Sequence, residues 1–410
     1  MKLIIVLLIF FIGNIVSAQN PLVQNFLDKG KAEFKKPWDK QNYTVAVENF
    51  EKAVALQPNN TEAHYFLGYA YDKLNAKDGS SMNNLNINLT LKSSAEYEKV
   101  ISLSPKYEGE ITLLDPYSRL TSIWGSQAMS YIYHNKLDSA KWCFRKGKEL
   151  GGFDDFFLAI NRKTLDLCSE NSILITMGDN VSIPLWYLQT LEKYRTDVQV
   201  IDANLLNSRW YPHYIKMHNN NLISYSIVEL DSLNYKKWDS TNVSINIAQN
   251  NKAFSWLIPP SYANEYLLRG DRLVLNILKQ NKFKKDVYFT SGYNPNSMLG
   301  LRKYLKYNIL IDKISPFDTT QLSDEQFYNL ANQITSIFKY VNPNSQDNLH
   351  FIDMFRYIIL DRMHINNDAE HLGYNLKLLG LLDDKAPEHK FPILSKNLKD
   401  FMDKLHKDNQ

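Results

Sequence analysis

The spacing of apolar residues changes twice along the chain and so separates three regions. In residues 43–71, small and aromatic residues recur every three to five positions, which is the period of an α-helix. From residue 172 onward, short uninterrupted apolar runs such as SILIT alternate with helical segments, as is typical of buried strands. After residue 322 the helical period returns. The pattern predicts N-terminal helices, an α/β centre and C-terminal helices.

A helical repeat is the main feature of residues 19–160. The positions that carry it are Ala46, Phe50, Ala53 and Pro58, then Gly68 and Tyr71, then Ser93, Tyr97, Val100 and Pro105, and finally Trp124, Ala128, Tyr131, Ala140, Phe144 and Gly147. Because small residues let helices approach closely and aromatic residues fill the gaps, the pattern resembles the tetratricopeptide repeat. We expect a solenoid of about three repeats with these aromatic side chains in its core.

Two segments depart from the repeat. Leu22–Lys36 predicts a helix that matches the repeat poorly and is expected to cap it. Residues 75–88 are rich in Asn, Ser and Gly and predict an inserted loop. Since solenoids of this kind bind ligands on a concave surface, we expect a protein or peptide partner on the concave face of the repeats.

Residues 161–320 predict a small, mostly parallel α/β domain. Strands are expected at Ser172–Thr176, Asp197–Leu206, Lys285–Gly292 and Tyr307–Ile314. Helices are expected after a capping Ser182, over Tyr262–Asn281 and in the segment LGLRKYLK. A strand, a helix and a strand within about 35 residues form the crossover that joins parallel strands.

Residues 321–410 predict a helical cap on the α/β domain. Ser323 and Gln326 have the spacing of a capping box at the start of a helix. Two more helices are expected near residues 349–363 and 368–382, followed by a charged tail helix from Leu394. The residues of this region predict no catalytic or ligand-binding site.

Residues 1–18 predict a signal peptide. Lys2 precedes an apolar run, and Ala18 supplies the small residue that a signal peptidase needs for cleavage before Gln19. An uncleaved anchor is the alternative, but Asn14 and the short apolar run favour cleavage. The sequence of the mature chain contains no membrane span, so a periplasmic or secreted protein is expected.

The amino-acid composition excludes further classes of protein. The 410 residues are 44% hydrophobic with a formal net charge of +3, which excludes intrinsic disorder and gives no electrostatic reason to expect nucleic acid as a partner. The chain has two cysteines, Cys143 and Cys168. An oxidising compartment would permit a disulfide between them, whereas two buried free thiols are the favoured interpretation, because free cysteine behaves as a small hydrophobe.

A recognisable signature runs through residues 165–317. It consists of Gly178, Asp179, Asn180, Pro184, Leu185, Trp186, Tyr187, Arg195, Thr196, Asp197, Val198, Leu205, Leu206, Trp210 and Tyr211, and then of Asp271, Asn281, Lys284, Tyr288, Phe289, Leu299, Gly300, Leu301 and Tyr304. This signature resembles the C-terminal extracytoplasmic part of bacterial membrane proteins of unknown function that are related to GT-C protein O-mannosyltransferases. Val181 stands where the family has a second Asp, and the membrane domain that would carry sugar transfer has no counterpart in the sequence. The resemblance therefore implies a glycosylation context but no activity.

Gly178, Asp179 and Asn180 are candidate ligand-binding residues. They follow a predicted strand and precede a helix, which is where open α/β sheets bind ligands. Asp179 can accept hydrogen bonds from sugar hydroxyls or coordinate a cation. The alternative is a tight turn in which Gly178 supplies a positive φ and the other two side chains bond to the backbone.

Trp186 and Tyr211 complete the candidate set, because aromatic rings can stack on a sugar. The alternative is that such rings pack a helix on the sheet. Tyr211 precedes Pro212, so it is the aromatic residue that we expect to be exposed.

Common catalytic motifs are missing from the sequence. It contains no Gly-x-Ser-x-Gly, no phosphate loop and no dinucleotide fingerprint, and its nine histidines follow no metal-binding spacing. We therefore expect no catalytic residue, no metal and no cofactor. Arg269-Gly270-Asp271 matches an adhesion tripeptide by letters, but its helical context favours coincidence.

Three functions are compatible with these features. The first is an exported, non-enzymatic interaction protein, whose repeats bind a protein and whose α/β domain binds a ligand or a partner. The alternative, which rests on the resemblance, is an accessory of envelope protein glycosylation that binds a glycan or an acceptor protein around Asp179. A standalone transferase or hydrolase is the third.

Overall fold

A computed structural model describes residues 20–248, 252–365 and 369–385. The predicted signal peptide and the predicted tail helix from Leu394 lie outside the described residues. The described chain has an N-terminal region of helical repeats, a mixed α/β region and C-terminal helices, which confirms the predicted fold class.

Six helices form the repeat region. They are α1 (Pro21–Lys35), α2 (Tyr43–Leu56), α3 (Thr61–Asn75), α4 (Ile87–Leu103), α5 (Pro116–Tyr133) and α6 (Leu137–Glu149). Consecutive helices pack as three pairs, α1 with α2, α3 with α4 and α5 with α6, as the sequence pattern predicts. The next helix, α7 (Asp155–Leu167), contains the predicted domain boundary at residue 160.

Aromatic side chains hold these pairs together. Phe50 is fully buried, and its ring stacks on that of Phe66 with centroids 5.7 Å apart. Trp124 and Tyr71 are buried as well, whereas Tyr131 is half-buried. The interpretation of these rings as repeat core is confirmed.

The insert at residues 75–88 joins the repeats to the α/β region. It contains a 3-10 turn at Gly79–Asn84. The carbonyl of Gly79 accepts a hydrogen bond from Trp210 Nε1 at 2.8 Å. A Cβ at Gly79 would lie 2.6 Å from Leu205 Cδ2, so a larger residue would disturb this contact. The insert is thus a docking element as well as a loop.

A five-stranded sheet forms the centre of the α/β region. The strands of the region are β1 (Ile173–Thr176), β2 (Gln199–Asp202), β3 (Lys236–Lys237), β4 (Thr241–Asn246), β5 (Ala253–Ile258), β6 (Tyr266–Leu267), β7 (Val287–Thr290), β8 (Leu305–Tyr307) and β9 (Ile311–Ile314). The sheet has the order β2-β1-β7-β9-β8. The pairs β2–β1 and β1–β7 are parallel, whereas β7–β9 and β9–β8 are antiparallel. The parallel half contains the crossover predicted from the sequence, but the other two pairings are antiparallel, so the sheet is mixed rather than mostly parallel as predicted.

The helices of this region are α8 (Asp179–Leu191), α9 (Trp210–His218), α10 (Ile227–Ser232) and α11 (Arg269–Asn281). Ser182 does not cap α8, because the helix begins three residues earlier, directly after Gly178 with its φ of +100°. The helix predicted over Tyr262–Asn281 begins only at Arg269, because residues 266–267 pair as β6.

The segment LGLRKYLK does not form the predicted helix. Leu299 and Gly300 have positive φ values, and a Cβ at Gly300 would lie 2.2 Å from the carbonyl oxygen of Leu257. The backbone therefore turns here instead of continuing as a helix. A 3-10 turn at Arg302–Tyr304 then leads into β8.

Three C-terminal helices complete the described fold, α12 (Asp324–Thr335), α13 (Gln346–Ile365) and α14 (Ala369–Lys385). The predicted capping box of Ser323 and Gln326 is present at the start of α12. These helices have an apolar core of their own, to which α7 contributes Phe156. A polar contact also ties them to the repeats, since Asp115 accepts hydrogen bonds from the Ser345 hydroxyl at 2.5 Å and the Asp347 backbone at 3.0 Å.

Candidate functional site

A cavity of about 490 Å³ lies where the repeats meet the α/β region. It opens at the carboxyl ends of β1 and β2, between α3, α5 and α8, the position at which open α/β sheets bind ligands. We call it the junctional cavity. Its polar and aromatic lining includes Asp72, Asn75, Asp78, Ser122, Ser126, Asp179, Ser182, Trp186, Asp202, Asn204 and Asn207.

Asp179 links the two regions at the mouth of this cavity. It is the first residue of α8 and remains exposed. Its Oδ2 accepts a hydrogen bond from Ser122 Oγ of α5 at 2.5 Å. A carboxylate at a helix N-terminus is also stabilised by the helix dipole. Asp179 is therefore both a structural contact and an accessible acceptor.

Gly178 and Asn180 do not border the cavity. Gly178 makes the turn from β1 into α8. The carbonyl of Asn180 accepts a hydrogen bond from Asn161 Nδ2 of α7 at 3.1 Å. Of the three residues predicted from the sequence, only Asp179 faces the junctional cavity.

Asp202 is a second carboxyl group in the cavity wall. It ends β2 and is 5% exposed. Oδ1 accepts a hydrogen bond from the backbone of Leu205 at 2.9 Å, and Oδ2 accepts one from the Ser182 hydroxyl. Burial, with a smaller contribution from the charge of Asp179, raises the pKa of Asp202 to about 6 in spite of these donors.

The repeats contribute a third carboxyl group, Asp72 of α3. Its Oδ2 lies 3.7 Å from Arg119 Nη1. Burial raises the pKa of Asp72, while the neighbouring Lys73 and Arg119 oppose that shift. One-fifth of the Asp72 side chain remains accessible, so a ligand in the cavity can reach it.

Of the two candidate aromatic residues, Trp186 borders the cavity and Tyr211 does not. Trp186 borders the junctional cavity although it is only 7% exposed. Tyr211 is 2% exposed, so the expectation that it is accessible is wrong. It packs in α9 against Trp210 and Trp186, and its hydroxyl accepts a hydrogen bond from the Asp202 backbone at 3.1 Å. Tyr211 therefore helps to hold the backbone of Asp202 in place rather than contacting a ligand.

Sequence reasoning missed the residues that the cavity gathers from outside the 178–180 segment. Asp202 lies inside the strand predicted over Asp197–Leu206, so its signal in the sequence was only a carboxyl group within an apolar run, and the structure ends β2 at this residue. Asp72 and Ser122 carried no signal in the sequence, because they occupy ordinary helical positions of the repeats. They border the cavity only because α5 packs on α8.

The cavity is chemically suited to a polar ligand. Carboxyl groups accept hydrogen bonds from hydroxyl or amino groups, asparagine amides donate and accept, and Trp186 supplies an aromatic surface. In the described ranges, no three histidine, cysteine or acidic side chains are grouped so that they could hold a metal ion. Arg269 is buried and donates hydrogen bonds to the carbonyls of Leu206 and Leu230. The Arg-Gly-Asp segment therefore lies in the interior of the protein.

Two family models match the chain. Residues 38–75 match the TPR repeat, and residues 158–257 and 241–333 match TMEM260-associated domain 2. TPR repeats generally bind protein partners. No curated protein matches the chain. Among the described residues, none of the helices has the length and apolar character needed to cross a membrane.

Proposed function

We propose that this chain is an exported, non-enzymatic interaction protein that binds a small polar ligand in the junctional cavity. The TPR match supports a role as a protein-interaction scaffold. The junctional cavity supports the ligand, because its polar groups come from both the repeats and the α/β region. A ligand held there would link the two regions and could make partner binding depend on ligand binding.

The position of α8 bears on where a protein partner binds. α5 buries most of its residues because α6 and α8 both pack on it. The α/β region therefore covers the third repeat, and we propose that a protein or peptide partner binds the concave face formed by the first two repeats, α1 to α4. Trp38, which is 60% exposed in the turn between α1 and α2, would be a suitable anchor for a partner that extends to this turn.

Ligand binding is tested by filling the cavity. Ser126 is half-buried in the cavity wall, so Ser126→Trp should abolish binding of mono- and disaccharides that the unaltered protein retains in native mass spectrometry. Ser240 is exposed away from the cavity, and Ser240→Trp is the matched control. Binding that survives Ser126→Trp, or that is lost equally in the control, would refute the cavity as the site.

A second candidate is an accessory of envelope protein glycosylation. Two observations support it: the resemblance of residues 165–317 to the extracytoplasmic part of O-mannosyltransferase-like membrane proteins, and a cavity lined with the acceptors and the aromatic ring that sugars use. In this version the ligand is a protein-linked glycan or its acceptor. A glycan array on which the protein binds protein-linked sugars, and Asp179→Asn loses them while remaining folded, would favour this candidate over the first.

Export has a direct test. Cleavage before Gln19 predicts that protein recovered from the periplasm or the medium begins at that residue, which an intact mass would show. Recovery in the inner membrane with Met1 retained would refute cleavage.

A further inference from the structure

A second cavity of about 660 Å³ lies away from the junction, between the antiparallel edge of the sheet and helices α12 and α13. Its walls are mainly apolar, with Ile309, Leu322, Phe327, Met354 and Ile358 among the residues that form them. Tyr307 and Tyr357, each about half exposed, also border it. A cavity of this size and character accommodates a small organic molecule.

One carboxyl group interrupts the apolar wall. Asp312 lies in β9 and is only 6% exposed, yet it borders the cavity. Within the described part of the chain, the backbone amide of Asn308 lies near enough to this carboxyl to oppose the rise of its pKa, but the amide donates its hydrogen bond to the carbonyl of Ile311 at 3.0 Å. A carboxylate can accept about four hydrogen bonds, so most of the hydrogen-bonding capacity of Asp312 is unused. Burial raises its pKa to about 7, because the ionised carboxyl is held away from water.

The nearby cation does not supply that compensation. Arg362 of α13 also borders the cavity, but its guanidinium pairs with Asp324 of α12 and donates to the carbonyl of Leu322 at 3.2 Å. The same guanidinium lies 5.0 Å from the centroid of the Phe327 ring. The other titratable groups at the cavity are the neutral phenols of Tyr307 on β8 and Tyr357 on α13. Among the described residues that border the cavity, none therefore serves as a counterion for Asp312.

We propose that this cavity binds a small amphipathic amine, with its apolar body against Phe327 and its protonated nitrogen beside Asp312. A protonated amine supplies the hydrogen-bond donors and the positive charge that the buried carboxylate lacks, and charge-assisted hydrogen bonds of this kind are the strong ones. An alcohol of the same shape supplies one neutral donor, and a carboxylate would place a second negative charge beside Asp312. The cavity should therefore discriminate by charge among ligands of equal size. This site is independent of the junctional cavity.

Tryptamine, its alcohol tryptophol and indolepropionate test this selectivity, because they share the indole ring and differ in the charge of the side chain. In calorimetric titrations we expect tryptamine to bind at least about tenfold more tightly than tryptophol, the effect of a hydrogen bond to a charged group. Indolepropionate should not bind. Equal affinity for tryptamine and tryptophol, or no binding of tryptamine at millimolar concentration, would overturn the proposal.

Two variants locate the amine. Asp312→Asn should lower the affinity for tryptamine about tenfold, to that of tryptophol. Asp318→Asn, an exposed carboxyl group paired with Lys306 outside the cavity, is the control and should leave both affinities unchanged. Should Asp312→Asn fail to fold, Met354→Trp fills the cavity from α13 and should abolish binding of both ligands. Retention of the tryptamine preference in folded Asp312→Asn would exclude Asp312 as the partner of the amine.

The pH dependence gives a separate readout. Because the amine favours the ionised carboxylate, its binding should release a proton from Asp312, and affinity should rise between about pH 6 and pH 8. Tryptophol should show no such rise, and an affinity for tryptamine that is independent of pH would contradict ionisation of Asp312 on binding.

Discussion

The side chain of Ile183 occupies the space that a side chain at Gly125 would need. A Cβ at Gly125 would lie 2.1 Å from Ile183 Cγ2, far inside van der Waals contact. Gly125 is in α5 of the repeats and Ile183 is in α8 of the α/β region, and both are buried. The close approach of these two helices brings Ser122 to Asp179 and so forms the wall of the junctional cavity.

This contact predicts the effect of adding one methyl group. Gly125→Ala should destabilise the protein by about 1–3 kcal/mol, because the buried methyl forces α5 and α8 apart. Gly373 lies in α14, and a Cβ there would meet no atom of another described segment within 4 Å, so Gly373→Ala is the matched control. The control should be neutral or stabilising by up to about 1 kcal/mol, since alanine favours a helix. Urea denaturation of both variants measures the difference, and equal effects would show that the helices do not pack as described.

The buried carboxyl group of Asp202 predicts a pH-dependent stability. Its pKa is raised to about 6 in the folded protein, so the folded state holds this proton more tightly than the unfolded state does. The contribution of Asp202 to the free energy of unfolding therefore falls as pH rises through about 4 to 6. Asp202→Asn removes this titration, and its stability relative to the unaltered protein should improve by up to about 3 kcal/mol between pH 4 and pH 8.

Asp239 supplies the comparison for that variant, because it is exposed. Asp239→Asn should change stability by less than about 0.5 kcal/mol at either pH. The free energies come from urea unfolding at each pH. If Asp202→Asn lost stability relative to the unaltered protein as the pH rose, the sign of the pKa shift would be wrong.

Packing between the first two repeats can be tested in a single helix. Ala53 in α2 is fully buried, whereas Ala55 in the same helix is exposed. Ala53→Trp should overpack the helix interface and cost about 1–3 kcal/mol or more. Ala55→Trp should stay within about 0.5 kcal/mol. Thermal unfolding distinguishes the two, and a reversed order would mean that the repeat register is wrong.

Both cysteines should be unreactive in the folded protein. Cys143 and Cys168 are buried free thiols, and burial raises the pKa of each to about 12, so the reactive thiolate is scarce at neutral pH. A thiol-specific disulfide reagent should titrate neither thiol in native protein and both in denaturant. Rapid reaction of a thiol without denaturant would show that its surroundings open readily.

The sequence by itself determined the features that depend on neighbouring residues. The spacing of Ala46, Phe50 and Ala53 predicts a helix with one packed face, because side chains three and four positions apart share a face. The apolar run before Gly178 predicts a buried strand, and Gly178 itself predicts the turn that follows. The capping box at Ser323 predicts the start of α12 for the same local reason.

Other predictions failed where a distant contact overrides local preference. The helical period of residues 262–281 would allow an earlier start, but residues 266–267 pair with β3 instead. Tyr211 precedes a proline and was therefore expected to be exposed. In α9, however, its side chain is buried, and its hydroxyl contacts the backbone at the end of β2. In both cases the partner that decides the outcome belongs to another element, β3 for residues 266–267 and the end of β2 for Tyr211.

The junctional cavity was decided only by the tertiary structure. Asp179 was identifiable from the end of its strand, but Asp72 and Ser122 face it only because α5 docks on α8 and the 75–88 insert docks on Leu205 and Trp210. Asp312 likewise lies in a segment with the sequence of an ordinary strand, and it borders a cavity only because α12 and α13 pack beside that strand. Helical and strand periods depend on local backbone geometry and can be predicted from neighbouring residues, whereas a cavity depends on which surfaces meet, and that is set by complementary packing across long stretches of chain.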